Sequence, residues 1–556
     1  MLKNWKAHLT GAALVAVVGA VGCYDFGSAR EKCEAEGRCG ALPDGGRPDG
    51  GGDCIPTSTD DPPDDEFIDA NCDGVDGIAT AGIFVDPENG DDANQGTSAS
   101  PVRSITRAVA LLQNNVRPEI TALYLARGTY NEAQLELNVP VSLYGGYAGR
   151  GNWSRNETNI TFLDGGTVGL RVSNLPDDAG VILDRLLVGS ANATTAGAPS
   201  IALHVVNSRG VQLRYSTFAA GAGAPGSNGS NGLGGADGGW GDAGTNADKA
   251  IIGSPGAAGA SQCDGVDHGG GGGREGVAQT QGIVGFPGRP ISLGGTGGPA
   301  GDAGGAVPNN PSSPTRYECT AGNGGAGQPG ARGDAGVPGE AGAGMGNLSG
   351  STWVATVGGN GTRGRNGTGG GGGGSGGACP TENNTGLAGA ASGGSGGGGG
   401  GGCGGQSGGG GGGGGASIAV LLVDSVVRFD GTAVLKTAGG GRGGTGGEGG
   451  SGGLGGRGGP GGNGGANATT SGGVTYFSSG GAGGAGGNGG NGGNGGPGGG
   501  GGGGPSVGVW CGLNADYTGT VQDQVGPVGS GGAGGPGGNA GANGFKDLSH
   551  NCPSAP

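Results

Sequence analysis

The hydrophobic pattern of this chain repeats with the period of a β-strand. Residues 120–130 (ITALYLARGTY) and 139–147 (VPVSLYGGY) alternate or run apolar and stop at glycine, as buried strands do. Four later segments share one pattern: TVGLRV from Thr167, SIALHV from Ser200, SIAVLL from Ser417 and SVGVWC from Ser506. Their second, fourth and sixth positions are apolar, which predicts one inward face on each strand. A second strand-like block follows each, at 181–188, 211–218, 426–434 and, weakly, 517–521. The fold class expected is therefore all-β, a solenoid of stacked coils.

The spacing of the repeats carries more. Successive starts lie 33, 217 and 89 residues apart, whereas a solenoid coil needs a near-constant length. The surplus must loop out and return. It is glycine-rich, and it departs after the second strand block each time, near Gly189, Ala219, Thr437 and Val528. The glycine tracts thus read as insertions at one corner of successive coils.

These tracts have a phase. From Arg442 to Ala466, and again from Ala482 to Pro497, every third residue is the one that is not glycine. Period three is that of the polyproline II backbone. In Gly-Gly-X every X falls on one edge, and two bare faces are left for neighbouring segments. This resembles the polyglycine II layers of certain phage tail-fibre adhesins and of an antifreeze protein. A flexible linker is the competing reading, and the cysteines within 222–415 tilt against it. Collagen is excluded for residues 327–342 (GQPGARGDAGVPGEAG), because the run is short and a triple helix needs long, proline-rich stretches.

Residues 82–112 (GIFVDPENGDDANQGTSASPVRSITRAVALL) predict a strand, an acidic turn and a short helix. Ser100 is placed to N-cap that helix with Pro101 at its first position. Val102, Ile105, Val109 and Leu112 then form its apolar stripe. Phe84-Val85-Asp86, Asn89-Gly90-Asp91-Asp92, Gly96-Thr97, Gly128-Thr129-Tyr130 and Gly145-Gly146-Tyr147 resemble the N-terminal cap and first coils of right-handed parallel β-helix proteins of the pectate-lyase-like class. The resemblance covers roughly residues 82–190 and implies that the helix closes the open end of the solenoid.

The N-terminus reads as a targeting segment. Lys3 and Lys6 precede an apolar run of small residues that is too short to span a bilayer and ends in Ala20-Val21-Gly22-Cys23. This resembles a bacterial lipobox, which implies lipidation of Cys23 and attachment to a membrane. The other ten cysteines, Cys33, Cys39, Cys54, Cys72, Cys263, Cys319, Cys379, Cys403, Cys511 and Cys552, group as four, four and two. An even set behind an export signal implies disulfides within the groups. The expected organisation is a signal peptide (1–22), a tether (23–66), an acidic loop (67–80), cap and coils (82–220), an insert with four cysteines (221–416), a coil (417–437), an insert (438–505), a last coil (506–528) and a glycine-rich tail (529–556).

Composition narrows the function. Net charge is −16 and no Lys/Arg block occurs, which excludes a nucleic-acid partner. Residues 60–92 hold twelve acidic residues and no Lys or Arg. Within them Asp69, Asn71, Asp73 and Asp76 offer hard oxygens around Gly74, a candidate calcium site resembling the loops of thrombospondin-type and dockerin-like modules. A solvated acidic turn is the alternative, and no other cofactor is implied. The β-helix resemblance implies glycosidic chemistry by clustered Asp with a Lys or Arg on one strand face; here Asp184 and Arg185 sit together, and His204 is expected to face outward from its strand. One pair without a third partner points away from catalysis and towards a solvated face. The expectation is a lipid-anchored, extracytoplasmic protein of the outer membrane or cell surface, displaying glycine-rich loops for structure or adhesion. A polysaccharide-binding or polysaccharide-degrading β-helix is the alternative.

Overall fold

The computed structural model describes residues 54–114, 118–309, 311–312, 315–381 and 388–553. The described residues fall into two compact units, divided between Ala79 and Thr80. In the larger unit the chain builds three parallel sheets and visits them in the same cyclic order. The first has seven strands, Gly82–Val85, Ala122–Ala126, Ser142–Tyr147, Ile182–Asp184, Arg209–Arg214, Val426–Asp430 and Asp516–Thr518. The second has six, Gly128–Asn131, Thr161–Asp164, Leu186–Gly189, Thr217–Ala220, Ala433–Thr437 and Val521–Gln524. The third also has six, Glu136–Leu137, Val168–Ser173, Ser200–Val206, Ser417–Val423, Ser506–Cys511 and Lys546–His550. The unit is nearly all β with parallel sheets, as a parallel β-helix requires.

Three apolar ladders hold the sheets together. Leu123, Leu143, Leu183, Leu213 and Phe429 stand in register in the first sheet. Tyr130, Leu163, Val188, Phe218 and Leu435 do so in the second, and Leu170, Leu203, Val420 and Val509 in the third. All are buried in one core. Each such side chain stabilises the fold by roughly 1.5–3 kcal/mol, so a one-residue slip that turned a strand's ladder outward would cost several of these at once.

The helix spans Ile105–Asn114, later than the sequence suggested. Ser104 is its cap, accepting the Arg107 amide through Oγ. Pro101 and Val102 are held elsewhere: Val102 bridges Val85 in parallel, and the Pro101 carbonyl accepts the Asp91 amide. Glu132 caps the same end, its carboxylate accepting the Ile105 and Thr106 amides.

The second position of the repeat departs from expectation. The fourth and sixth positions join the central core, but Ile201, Ile418 and Val507 pack outside the third sheet with Trp353, Leu421 and Trp510. The chain turns between positions two and four, so Ala202 and Ala419 also face inward. Outside, a hairpin of Asn347–Ser349 and Thr352–Val354 returns from the long insert and covers this face with Trp353. His204 lies under the same cover. It is 5% exposed, not solvated, and its Nδ1 is 3.3 Å from the Arg171 guanidinium. Burial and then the Arg171 charge push its pKa down to about 4, with the Ser351 backbone offsetting part of the shift.

Four excursions leave the coils at one corner. Residues 190–199, 221–416, 438–505 and 525–545 each follow a strand of the second sheet and precede a strand of the third. The last is not a free tail: Lys546–His550 pairs with Ser506–Cys511, and Cys552 is bonded to Cys511.

Within the excursions, extended segments bond backbone to backbone. Residues 369–377 of segment 355–379 are enclosed on six sides. The segment's amides at Gly370, Gly371 and Gly372 donate to the carbonyls of Gly399, Gln328 and Phe286, and its carbonyls at Gly370, Gly371 and Gly372 accept from Gly271, Gly487 and Gly298. These partners belong to six different segments. A Cβ on Gly370, Gly371 or Gly372 would lie 2.2, 2.1 or 2.0 Å from the carbonyl oxygens of Gly487, Thr296 and Gly272. Segment 390–416 is enclosed in the same way, bonding to 223–247, 438–465, 480–505, 355–379, 253–260 and 268–277. The pattern is a hexagonal array with these two segments at its centre.

Glycine content follows enclosure. The two central segments run as unbroken glycine at residues 369–374 and 396–402. Segment 438–465, on the rim, carries a side chain at one position in three. Segments 253–260 and 282–289, with fewer neighbours, carry two in three. Segment 480–505 changes along its length. It reads Gly-Gly-X to Pro497 and then Gly498–Gly504 without a break. The change falls where residues 529–544 pack on it: Gly529, Gly532 and Gly535 donate to Gly504, Gly501 and Gly498.

Two measurements check this account. Gly372→Ala places a methyl on a carbonyl that cannot move alone, so it is expected to destabilise the array by about 2–3 kcal/mol. Ser451→Ala, at an exposed X position, is expected to change stability by less than about 0.5 kcal/mol; thermal unfolding of the two variants compares them. For His204, the folded pKa lies below the unfolded value of 6.5. The unfolded chain therefore binds the extra proton between pH 6.5 and about 4, and stability falls as pH falls through that window, by up to roughly 2–3 kcal/mol, and is flat above it. Denaturant titrations across the window should show this slope in the parent and lose it in His204→Gln.

Candidate ligand site at the far end of the glycine array

The array ends in a small sheet that the sequence did not announce. Segment 390–416 returns without interruption to the strand Ser417–Val423. At about 3.1 Å per residue, its start is roughly 80 Å from that strand. The connections at this remote end form a four-stranded sheet of Val307–Pro308, Arg316–Thr320, Val474–Ser479 and Ala466–Ser471. Arg316–Thr320 comes from the first long insert and pairs in parallel with Val474–Ser479 from the second. Two inserts are thus joined at both ends.

Alternation divides this sheet into two faces. On one, Tyr317 stacks on Tyr476 with centroids 5.3 Å apart. Beneath the sheet Cys319, bonded to Cys379, packs with Ala321, Ala390 and Tyr476. On the other face Arg316 lies over the Phe477 ring, 4.2 Å from its centroid, and pairs with Glu318. A cavity of about 390 Å³ opens here, lined by Arg316, Glu318, Thr320, Asn467, Phe477 and Ser479 among others. Phe477 is 38% exposed. The Phe477 ring, covered on one side by Arg316 and flanked by Glu318, Thr320 and Ser479, is an aromatic surface beside polar groups of the kind that suits a polyhydroxylated ligand, whereas the Asn467 side chain turns to the opposite face and donates to the Gly389 carbonyl. Its one carboxylate, Glu318, is engaged by Arg316, whereas glycosidic cleavage takes a pair.

The residues singled out from the sequence lie elsewhere. Asp184 is fully buried, contrary to the expectation of a solvated face. Its Oδ2 accepts from Arg155 at 2.6 Å and from Arg214 at 3.0 Å. Arg155 also donates to the Gly145 carbonyl and lies against the rings of Tyr144 and Tyr147. Residues 148–160 bring Arg155 back over the sheet, and no local spacing in the sequence signals that return. Arg185 diverges from Asp184: its φ is +54°, and it reaches Glu157 at 3.7 Å and the face of Tyr215. His204 is walled off beneath the Trp353 hairpin. The structure therefore does not bring Asp184, Arg185 and His204 together.

In the smaller unit the candidate calcium oxygens are used by the loop itself. Asp69 accepts the Asp73 and Gly74 amides, Asn71 the Asp73 amide, Asp73 the Val75 and Ala79 amides, and Asp76 the Asp64 amide. Among the described residues no group of three or more His, Cys, Asp or Glu is placed to hold a metal ion. Cys54–Cys72 ties this loop, and Cys263–Cys403 ties the long insert to the array's centre. With Cys319–Cys379 and Cys511–Cys552, every disulfide among the described residues joins cysteines of one sequence group. Cys23, Cys33 and Cys39 lie outside the described residues. These disulfides mark an extracytoplasmic protein, and no described helix is long and apolar enough to cross a membrane.

Residues 88–198 match the family model described as "Protein of unknown function (DUF1565)", a family associated with β-helix proteins. The match falls on the helix and the first coils, well short of half the chain. No curated protein and no solved structure matches the chain.

Proposed function

We propose that this chain is a surface-display protein that holds a ligand site away from the cell on a rigid glycine rod. The base is read as a right-handed parallel β-helix of the pectate-lyase-like kind. The rod is read as polyglycine II, supported by the period of three and by bonds to six neighbours around segment 355–379. Lipidation at Cys23 would fix the protein to the outer membrane or cell surface. The role is adhesion, and the ligand class is a surface polysaccharide bound at the remote cavity.

One observation carries the reading. Two inserts leaving different coils are bonded to each other through the array, as between 223–247 and 438–465 and between 390–416 and 480–505, and then joined again by the pairing of Arg316–Thr320 with Val474–Ser479. A loop that only filled space would not need to be straight, enclosed and closed at its tip. The buried ion pairs of Asp184 support a structural role for the coils over a catalytic one.

A glycan array probed with the purified protein tests the site. Binding should weaken about tenfold or more in Phe477→Ala, the loss of roughly 1–2 kcal/mol of ring contact, with unfolding unchanged. Equal binding by parent and variant would move the site elsewhere, and depolymerisation of any glycan would favour an enzyme. For the anchor, mass spectrometry of the mature protein should find Cys23 acylated at the N-terminus. An unmodified Cys23 would remove the anchor from the reading.

A further inference from the structure

The stretch GGNGGNGGNGGPGG, residues 486–499, places three asparagines on one edge of a rim segment. Their side chains do one repeated thing. The Oδ1 atoms of Asn488, Asn491 and Asn494 accept the amides of Gly458, Gly455 and Gly452 at 3.0, 2.9 and 3.0 Å. Those amides belong to a row that recurs every third residue along segment 438–465. Earlier in the same row Gly443 and Gly446 donate to the backbone carbonyls of Ser530 and Ala533. One row of donors is therefore met by another glycine-rich segment at Gly443 and Gly446 and by asparagine side chains at Gly452, Gly455 and Gly458.

The second outward row of this segment is treated alike. Asn228, Asn231, Asp237 and Asn246 accept the amides of Thr445, Glu448, Leu454 and Asn463. Where the facing position is Asn or Asp the outward amide meets a side-chain oxygen; Gly449, Gly461 and Gly464, which face Pro497, Ala485 and Ala482, have no such acceptor among the described residues. An uncovered row of this kind is equivalent to the open edge of a β-sheet, which recruits further chains.

We propose that Asn488, Asn491 and Asn494 terminate the glycine array, and that the partner they keep off is a second copy of this chain. The partner follows from the geometry. The row accepts a glycine-rich extended segment, as residues 529–535 demonstrate, and this chain carries such segments on its own rim. Segment 480–505 bonds antiparallel to 438–465, Gly486 to Gly459 and Gly489 to Gly456. Residues 529–535 lie parallel to 438–465, Gly443 to Ser530 and Gly446 to Ala533, so the array takes neighbours of either direction, and an antiparallel one is what a copy related by a two-fold axis would supply.

The triple variant Asn488→Gly/Asn491→Gly/Asn494→Gly tests this, because it keeps the backbone suited to the array and removes only the acceptors. Light scattering across a concentration series should show larger assemblies than the parent forms. In dilute solution the amides of Gly452, Gly455 and Gly458 should lose protection from hydrogen exchange. The matching triple Asp variant keeps an acceptor, as Asp237 does, and should behave as the parent. A Gly variant with the parent's mass at every concentration overturns the proposal, as does equal association by the Asp variant. Should the triple Gly variant lose protection throughout the array, Asn491→Gly alone is judged by the same two readouts.

Discussion

The peptide group is what this structure is built around. Through residues 221–416 and 438–505, few side chains are available to bury, so hydrogen bonds between backbones must hold neighbouring segments. Those bonds need segments close enough that a Cβ would strike a carbonyl at about 2 Å, as at Gly370, Gly371 and Gly372. Enclosure therefore demands glycine, and glycine content reports enclosure. A segment with six neighbours has no direction left for a side chain; one on the rim has one or two. The apparent monotony of the sequence is a record of position in the array.

The coils make that array possible. A period-three segment bonds to its neighbours only in the correct phase along its length, and phase must be set from outside because glycine has no side chain to register against. The in-register strands supply it. Ser200, Ser417 and Ser506 stand beside one another in the third sheet, so the segments that arrive at them are aligned before their first mutual bond. The constancy is visible in the bonds themselves: Gly226 to Arg442, Gly229 to Thr445 and on to Gly244 with Pro460 keep one offset throughout. Strand register is thus carried outward into the rod.

Much of this was legible in the sequence, and the reason differs by part. The coils could be read because burial imposes an apolar alternation, and the repeat from Thr167, Ser200, Ser417 and Ser506 names residues that do stand in register. The corner of departure could be read from the variable distance between repeats. The turn at Ala202 and the outward packing of Ile201 could not, since they depend on Trp353, which arrives from the middle of the insert. Nor could Arg155 on Asp184, because a buried ion pair made through a returning loop leaves no periodic trace. The remote sheet was hidden for another reason. Strands such as ANATTS and RYECT are short, polar and mostly exposed, so their alternation carries too few apolar residues to stand out in the sequence. The last strand, KDLSH, shares that disguise and is fixed by pairing and by Cys511–Cys552.

The rod's order is borrowed, and the places from which it borrows are identifiable. Fixing a residue's backbone costs about 1–2 kcal/mol, and glycine is at the high end, while one net backbone hydrogen bond returns about 1 kcal/mol. A long glycine segment standing alone would gain too little to stay extended. Here its two ends are not free. The near end is set by a buried strand, and the far end by the remote sheet and Cys319–Cys379. Cys263–Cys403 closes a loop of 140 residues through the array itself, and long loops are where such a link constrains the unfolded chain most. Cys263–Cys403 and Cys319–Cys379 sit within the glycine-rich insert, which is the arrangement expected if cross-links replace a hydrophobic core that glycine cannot provide.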